Sequence, residues 1–133
     1  MPNAVTDTHG LIWYLEDSPL LGAEASRTFD ACERGEIAIY VPTICLVEML
    51  YLEEKGRMPS PLRIQLEDVL RAGDSNLVLV DLTAGIVHKM AEVSRTSVPD
   101  MSDRIIASTA LYMELPLISR DRQIQLSQIE TLW

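Results

Sequence analysis

Short apolar runs alternate with segments of helical periodicity along the whole chain, and this alternation constrains the fold more than any other feature of the sequence. A strand around Val5 ends at Asp7, apolar runs recur at residues 37–41, 77–80 and 117–119, and residues 130–133 suit a fifth strand at an edge. Between them, periodicity and stop signals predict helices over about 8–16, 23–34, 43–55, 60–73, 83–93 and 102–113. Thr43, Ser60 and Thr83 read as helix N-caps, and Gly35, Gly56 and Gly73 as stops. Strands joined through helices must cross over before they pair again. The expected class is therefore α/β, a mostly parallel central sheet of four to five short strands flanked by helices.

The 133 residues suit a single domain, 1–133, and 47% of them are hydrophobic. A chain of that length buries roughly two-thirds of its unfolded surface, enough for a genuine core. No apolar stretch approaches the ~20 residues a membrane span needs, and the start lacks a basic segment followed by an apolar run. The two cysteines, Cys32 and Cys45, form no CxxC pair and have no histidine at zinc spacing. They suit buried thiols in a reducing cytoplasm, with no membrane partner. The net charge of −9 argues against a protein that grips nucleic acid over its whole surface. It fits carboxylates that converge on one site, where bound cations or a basic partner offset them.

In parallel sheets, ligands bind beyond the carboxyl ends of the strands. Asp7 follows the first strand and Asp121 the fourth, while Asp100 and Asp103 open the helix that leads into the fourth. Capping accounts for any one of Asp7, Asp100, Asp103 or Asp121 taken alone. Glu48 lies beyond the first turn of its helix, on a stripe with Ile44, Tyr51 and Leu52 that should face the protein. Asp103 likewise shares a face with Ile106, Ala107 and Ala110. Buried carboxylates need a partner, and several together repel. A hard divalent cation relieves both problems, and oxygen-only ligands suit Mg²⁺ or Mn²⁺. His9 and His88 are not placed to suggest zinc.

These residues resemble the PIN-domain toxins of the VapC type, in VapBC toxin–antitoxin pairs. Residues 6–13, Thr-Asp-Thr-His-Gly-Leu-Ile-Trp, look like the opening motif of that family, and Glu48 matches its second acidic position. Asp100 and Asp103, three apart in residues 99–110, look like the third motif, and Ser119-Arg120-Asp121 like the fourth. The match runs from Asp7 to Asp121 in the family's order. Thr6 stands where an apolar residue is usual, and Gly10 adds freedom early in a helix. The resemblance implies a PIN fold, Mg²⁺ or Mn²⁺ dependence, cleavage of single-stranded RNA, a homodimer, and a VapB-like antitoxin whose tail covers the site.

Both readings meet in a metal-dependent endoribonuclease. Asp7, Glu48, Asp103 and Asp121 are the expected catalytic residues and metal ligands, with Asp100 a further candidate ligand. Thr8 and Ser119 are placed either to orient ligands and water or to serve as a cap and a strand-end hydroxyl. Arg104, Arg120 and Arg122 flank the acids, to hold RNA phosphates or to pair with nearby carboxylates. One rival is a phospho-acceptor domain of the receiver kind, which needs paired acids after the first strand and a late lysine. Here Asp7 stands alone and no lysine follows Lys89. The other is a PIN-fold binding module without catalysis.

Overall fold

The computed structural model describes residues 1–125 and 127–133. The five strands are β1 (Ala4–Thr6), β2 (Ile39–Pro42), β3 (Leu77–Val80), β4 (Leu117–Ile118) and β5 (Thr131–Leu132). The helices are α1 (Thr8–Leu15), α2 (Ala23–Glu33), α3 (Thr43–Glu54), α4 (Ser60–Ala72), α5 (Ala84–Lys89), α6 (Met101–Met113) and α7 (Arg122–Gln125). The strands form one sheet in the order β3-β2-β1-β4-β5, and every pairing is parallel. This is the α/β architecture that the alternation predicts, with β5 at an edge.

Ala4, Val5 and Thr6 of the central strand are all fully buried. A strand covered on both faces has no polar face to show, which explains an unalternating run. Ile39 and Val41 flank it on one side, Leu117 and Ile118 on the other. Helices supply the covering layers through Leu11, Phe29, Met49, Ile106, Ala107 and Ala110, all at most 1% exposed. At the other edge, Val78 and Leu79 of β3 remain 40% exposed, and among the described residues β3 has no strand on its outer side. Cys32 and Cys45 are buried free thiols. Among the described residues no helix is long and apolar enough to cross a membrane.

The helix starts depart from the sequence reading in two places. Pro42 and Pro59, not Thr43 and Ser60, hold the N-cap positions of α3 and α4. Proline's fixed φ leaves each in an extended conformation suited to the last residue before a helix. The Thr43 hydroxyl instead donates to the Val80 carbonyl (3.0 Å) and to Asp81 (2.9 Å), tying the start of α3 to the end of β3. Thr83 does cap α5, accepting from the Ile86 N–H at 3.3 Å. The helix expected over 83–93 tightens after Lys89 into a 3-10 turn, Met90–Glu92. There the Arg104 guanidinium donates to the carbonyls of Met90 (2.9 Å) and Val93 (2.8 Å).

The far end of the chain closes onto α2. The Trp133 carbonyl accepts from the N–H groups of Glu24 (2.9 Å) and Ala25 (3.2 Å), which the first turn of a helix leaves unsatisfied. Gly22 makes this possible, since a Cβ there would lie 2.1 Å from the Trp133 oxygen. Gly22→Ala should therefore cost about 2 kcal/mol, the scale of an overpacked contact. Urea titration of the two proteins measures it; an unchanged midpoint would show that the Trp133 carbonyl does not sit over this helix end.

Candidate active site

Connections from the central strand leave in opposite directions, β2 and β3 to one side, β4 and β5 to the other. Such a reversal opens a crevice at the carboxyl ends of the strands. A cleft of about 590 Å³ lies there, lined by Asp7, Thr8, Glu48, Asp100, Asp103 and Asp121, together with His9, Trp13, Arg120 and Arg122. A larger groove of about 730 Å³ runs along the α1–α2 corner, past Tyr14, Asp17 and Asp30, but holds none of the strand-end acids. Chemistry, not volume, singles out the first.

Asp7 leaves β1 and caps α1, its Oδ1 accepting from the Gly10 N–H at 2.8 Å. Burial raises its pKa above the ordinary carboxylate value. The Gly10 N–H, the Ser119 hydroxyl and His9 pull it back down, while Glu48 adds to the rise. Gly10 is a requirement of space more than of flexibility. A Cβ there would stand 3.0 Å from Asp7 Oδ1 and from Ile118, and 3.3 Å from the Thr6 hydroxyl. Thr6 itself is buried and donates to the Asp7 carbonyl at 3.0 Å, so a polar residue is satisfied there.

Glu48 accepts a 2.5 Å hydrogen bond from the hydroxyl of Thr8, a residue only 3% exposed. That bond fixes one carboxylate oxygen from a neighbouring helix. The stripe expected to bury Glu48 is more open than the sequence suggests, because Tyr51 is 58% exposed. The buried side of α3 is Cys45 and Met49, so Glu48 sits at the margin between core and cleft.

Asp103 projects from a face whose next members, Ile106, Ala107 and Ala110, are at most 1% exposed. Burial, and then the charges of Asp100, Glu48, Asp121 and Asp7, push its pKa up to about 6. Asp100 is the N-cap of α6, accepting from the Asp103 N–H at 3.0 Å. Asp121 Oδ1 accepts from Gln123 (2.8 Å) and Ile124 (3.3 Å) at the start of α7. Its own N–H donates to Ser119 Oγ at 3.1 Å, and Ser119 is fully buried.

The three arginines do not share one fate. Arg104 donates to backbone carbonyls, as described, and does not line the cleft. Arg120 and Arg122 are exposed and do line it. Arg120 lies over the Trp13 ring, its guanidinium carbon 4.5 Å from the centroid. The sequence reading missed His9 and Trp13 as lining residues. Their spacing of four on α1, starting two residues after Asp7, was the available signal.

The donor set is all oxygen and carries surplus negative charge, which adds to burial in raising the Asp103 pKa. That chemistry fits a hard divalent cation. The carboxylates face one cleft without already closing on a point: among the described residues no three His, Cys, Asp or Glu side chains form a ready coordination group.

A family model described as the PIN domain matches residues 4–130. No curated protein sequence matches. Among solved structures, the chain is similar to a chain of the VapBC2 complex of Rickettsia felis bound to a promoter DNA fragment, with a TM-score of 0.71 and 16% identity over 98% of this chain and 99% of that one. It is also similar to a chain of DNA-bound VapBC from Salmonella typhimurium, with a TM-score of 0.70 and 19% identity over 98% and 97%. A third likeness is to a chain of FitAcB from Neisseria gonorrhoeae, at 0.62 and 16% over 96% and 95%. At these identities the likeness is one of fold.

The raised Asp103 carries a stability consequence. Its folded pKa of about 6 exceeds the reference 3.8, so the folded state holds the proton more tightly. Stability from this group is full below about pH 3.8 and is lost as pH rises toward 6. Asp103→Asn lacks that loss. In EDTA it should be more stable than the parent at pH 7 by about 1 kcal/mol, allowing for solvent screening, with the difference closing by pH 4. Parallel urea titrations at the two pH values test this, and a difference independent of pH would refute it.

Proposed function

The chain belongs to the PIN-domain family, and from that premise we propose that it is the toxin of a type II toxin–antitoxin pair, an endoribonuclease that hydrolyses single-stranded RNA with Mg²⁺ or Mn²⁺. The observation that carries this reading is the convergence of Asp7, Glu48, Asp103 and Asp121 on one cleft at the sheet's switch point. Asp7, Glu48, Asp103 and Asp121 would hold one or two cations, with Asp100 at the edge of the set. A divalent ion bound there supplies neutralising charge and Lewis acidity toward water and phosphate oxygen.

The protein's own contribution is to hold acids where they are unwilling to stay. The Gly10 N–H fixes one oxygen of Asp7, and the Thr8 hydroxyl fixes one of Glu48. N–H groups at the start of α7 fix one of Asp121. Arg120 and Arg122 stand at the same opening and offset phosphate charge that the acids would otherwise repel. No receiver-like arrangement is present: a single acid follows β1, and no lysine follows Lys89.

Beside the cleft, a groove of about 360 Å³ runs between α3 and the start of α6. Ile44, Val47, Tyr51, Leu52 and Met101 line it, and it shares Thr8, His9 and Glu48 with the cleft. Tyr51 and Met101 are 58% and 67% exposed. An apolar segment of the antitoxin seated there would bring a neighbouring arginine or lysine against the acids, blocking RNA by charge as well as by bulk. Met49 takes no part, being fully buried.

Three outcomes are expected. Purified protein cuts single-stranded RNA with Mg²⁺ or Mn²⁺ and stops in EDTA; cutting that persists in EDTA removes the metal mechanism. Asp7→Asn and Asp103→Asn lower cleavage by at least about a hundredfold, more than loss of an outer partner costs, while circular dichroism stays unchanged. Asparagine keeps the N-cap of α1, so a folding defect would not be the cause. Neutralising the basic residues of the antitoxin's toxin-binding tail weakens inhibition more than binding, and inhibition that survives their loss would leave steric cover as the whole effect.

A further inference from the structure

Arg120 sits beside five carboxylates of the cleft yet pairs with none of them. Among the described residues it forms no ion pair and no side-chain hydrogen bond. It lies over the indole of Trp13, 4.5 Å from the centroid, and is exposed. Trp13 is held in turn by edge contact with Trp133 (5.7 Å, 64°) and by His9 (5.5 Å, 52°). The result is a layered platform: a half-buried Trp133 and an exposed His9 against the half-buried Trp13 indole, and an exposed guanidinium on top. It opens into the cleft beside Asp121, its neighbour in the chain.

A cation meant only to attract phosphate has no need of an aromatic floor. The Arg120 guanidinium covers the indole on one side and is exposed where it lines the cleft, and such a group presents a flat, weakly hydrated face. Flat π surfaces stack on such a face, and every nucleobase has one. A phosphodiester drawn to the acids carries its flanking nucleotide along the cleft wall, where this platform stands. We infer that Trp13 and Arg120 form a base-stacking subsite that receives the nucleobase next to the phosphate under attack, with His9 at its rim. The subsite rests on the nuclease reading for the phosphate's position, but its ligand, a planar nucleobase on single-stranded RNA, follows from the stack itself. Through this contact the protein would choose among bases by stacking strength and by what the free guanidinium N–H groups can reach.

The discriminating substitution is Arg120→Lys, which keeps the charge and removes the plane. Arg120 is exposed, so the change spares the core. Binding is measured on a cleavage-silent background, Asp7→Asn with Asp103→Asn, in Mg²⁺. The probes are short single-stranded RNAs in which each position in turn carries a normal base or an abasic ribose. The chain's two tryptophans, Trp13 and Trp133, meet at this platform, so intrinsic fluorescence reports its occupancy directly. One abasic position should weaken binding about tenfold, the scale of a single stacked base, and quenching should fall with it. In Arg120→Lys that base-against-abasic difference should shrink to about twofold or less.

Equal binding of base and abasic RNAs at every position would overturn the subsite, as would Arg120→Lys retaining the full difference. No measurable binding of the base-bearing RNA would overturn it too. Cleavage assays on the unsubstituted protein separate the two readings. Metal-dependent cutting without base dependence overturns the subsite alone. Base-dependent binding without any cutting supports the subsite and overturns the nuclease.

Discussion

The arrangement depends on like charges held together at the carboxyl ends of parallel strands. Asp7, Glu48, Asp100, Asp103 and Asp121 share one cleft, and the strain shows in Asp103, whose pKa burial and its four acidic neighbours push to about 6. Left to itself such a cluster would spread into solvent or take up protons. The fold prevents the first by fastening acids to backbone and hydroxyl donors. A cation would prevent the second.

Those fastenings come mostly from helix starts. Asp7 accepts from the first turn of α1, Asp100 from that of α6 and Asp121 from that of α7. Unsatisfied N–H groups and the helix dipole favour negative charge at each of these ends. Capping and site chemistry are therefore not competing explanations for these residues. A cap engages one oxygen of the carboxylate, and the starts of three helices bring their capping acids to the lining of one cleft. Glu48, in mid-helix, cannot use that device and relies on Thr8 across the cleft wall instead.

The positive charges are disposed with the same economy. Arg63 is held between Glu53 and Glu67, and Arg104 is withdrawn onto backbone carbonyls of the 3-10 turn. That leaves Arg120 and Arg122 as the guanidinium groups lining the cleft. In a chain of net charge −9, attraction for a polyanion is thus local. On the proposed nuclease reading, affinity for RNA would come from the cleft and the cations it would hold, and a basic segment of a partner protein would be drawn to the same place.

The sequence determined the α/β class, the five strands, the order of helices α1 to α6 and the acids that line the cleft, because periodicity, glycine stops and strand-end position are local properties, whereas the four-residue α7 was too short to show a period. It also placed Asp103 on a buried face correctly, since Ile106, Ala107 and Ala110 repeat at helical spacing. Tertiary structure decided what depended on neighbours distant in the chain. Thr43 yielded its cap to Pro42 because its hydroxyl found the end of β3, thirty-seven residues on. Arg104 and Arg120 look alike beside their acids, yet one packs under a turn and the other over Trp13. Gly10 reads as flexibility in sequence and proves to be clearance for a carboxylate. A single helix shows which face a residue occupies; only packing against other elements shows what waits on that face.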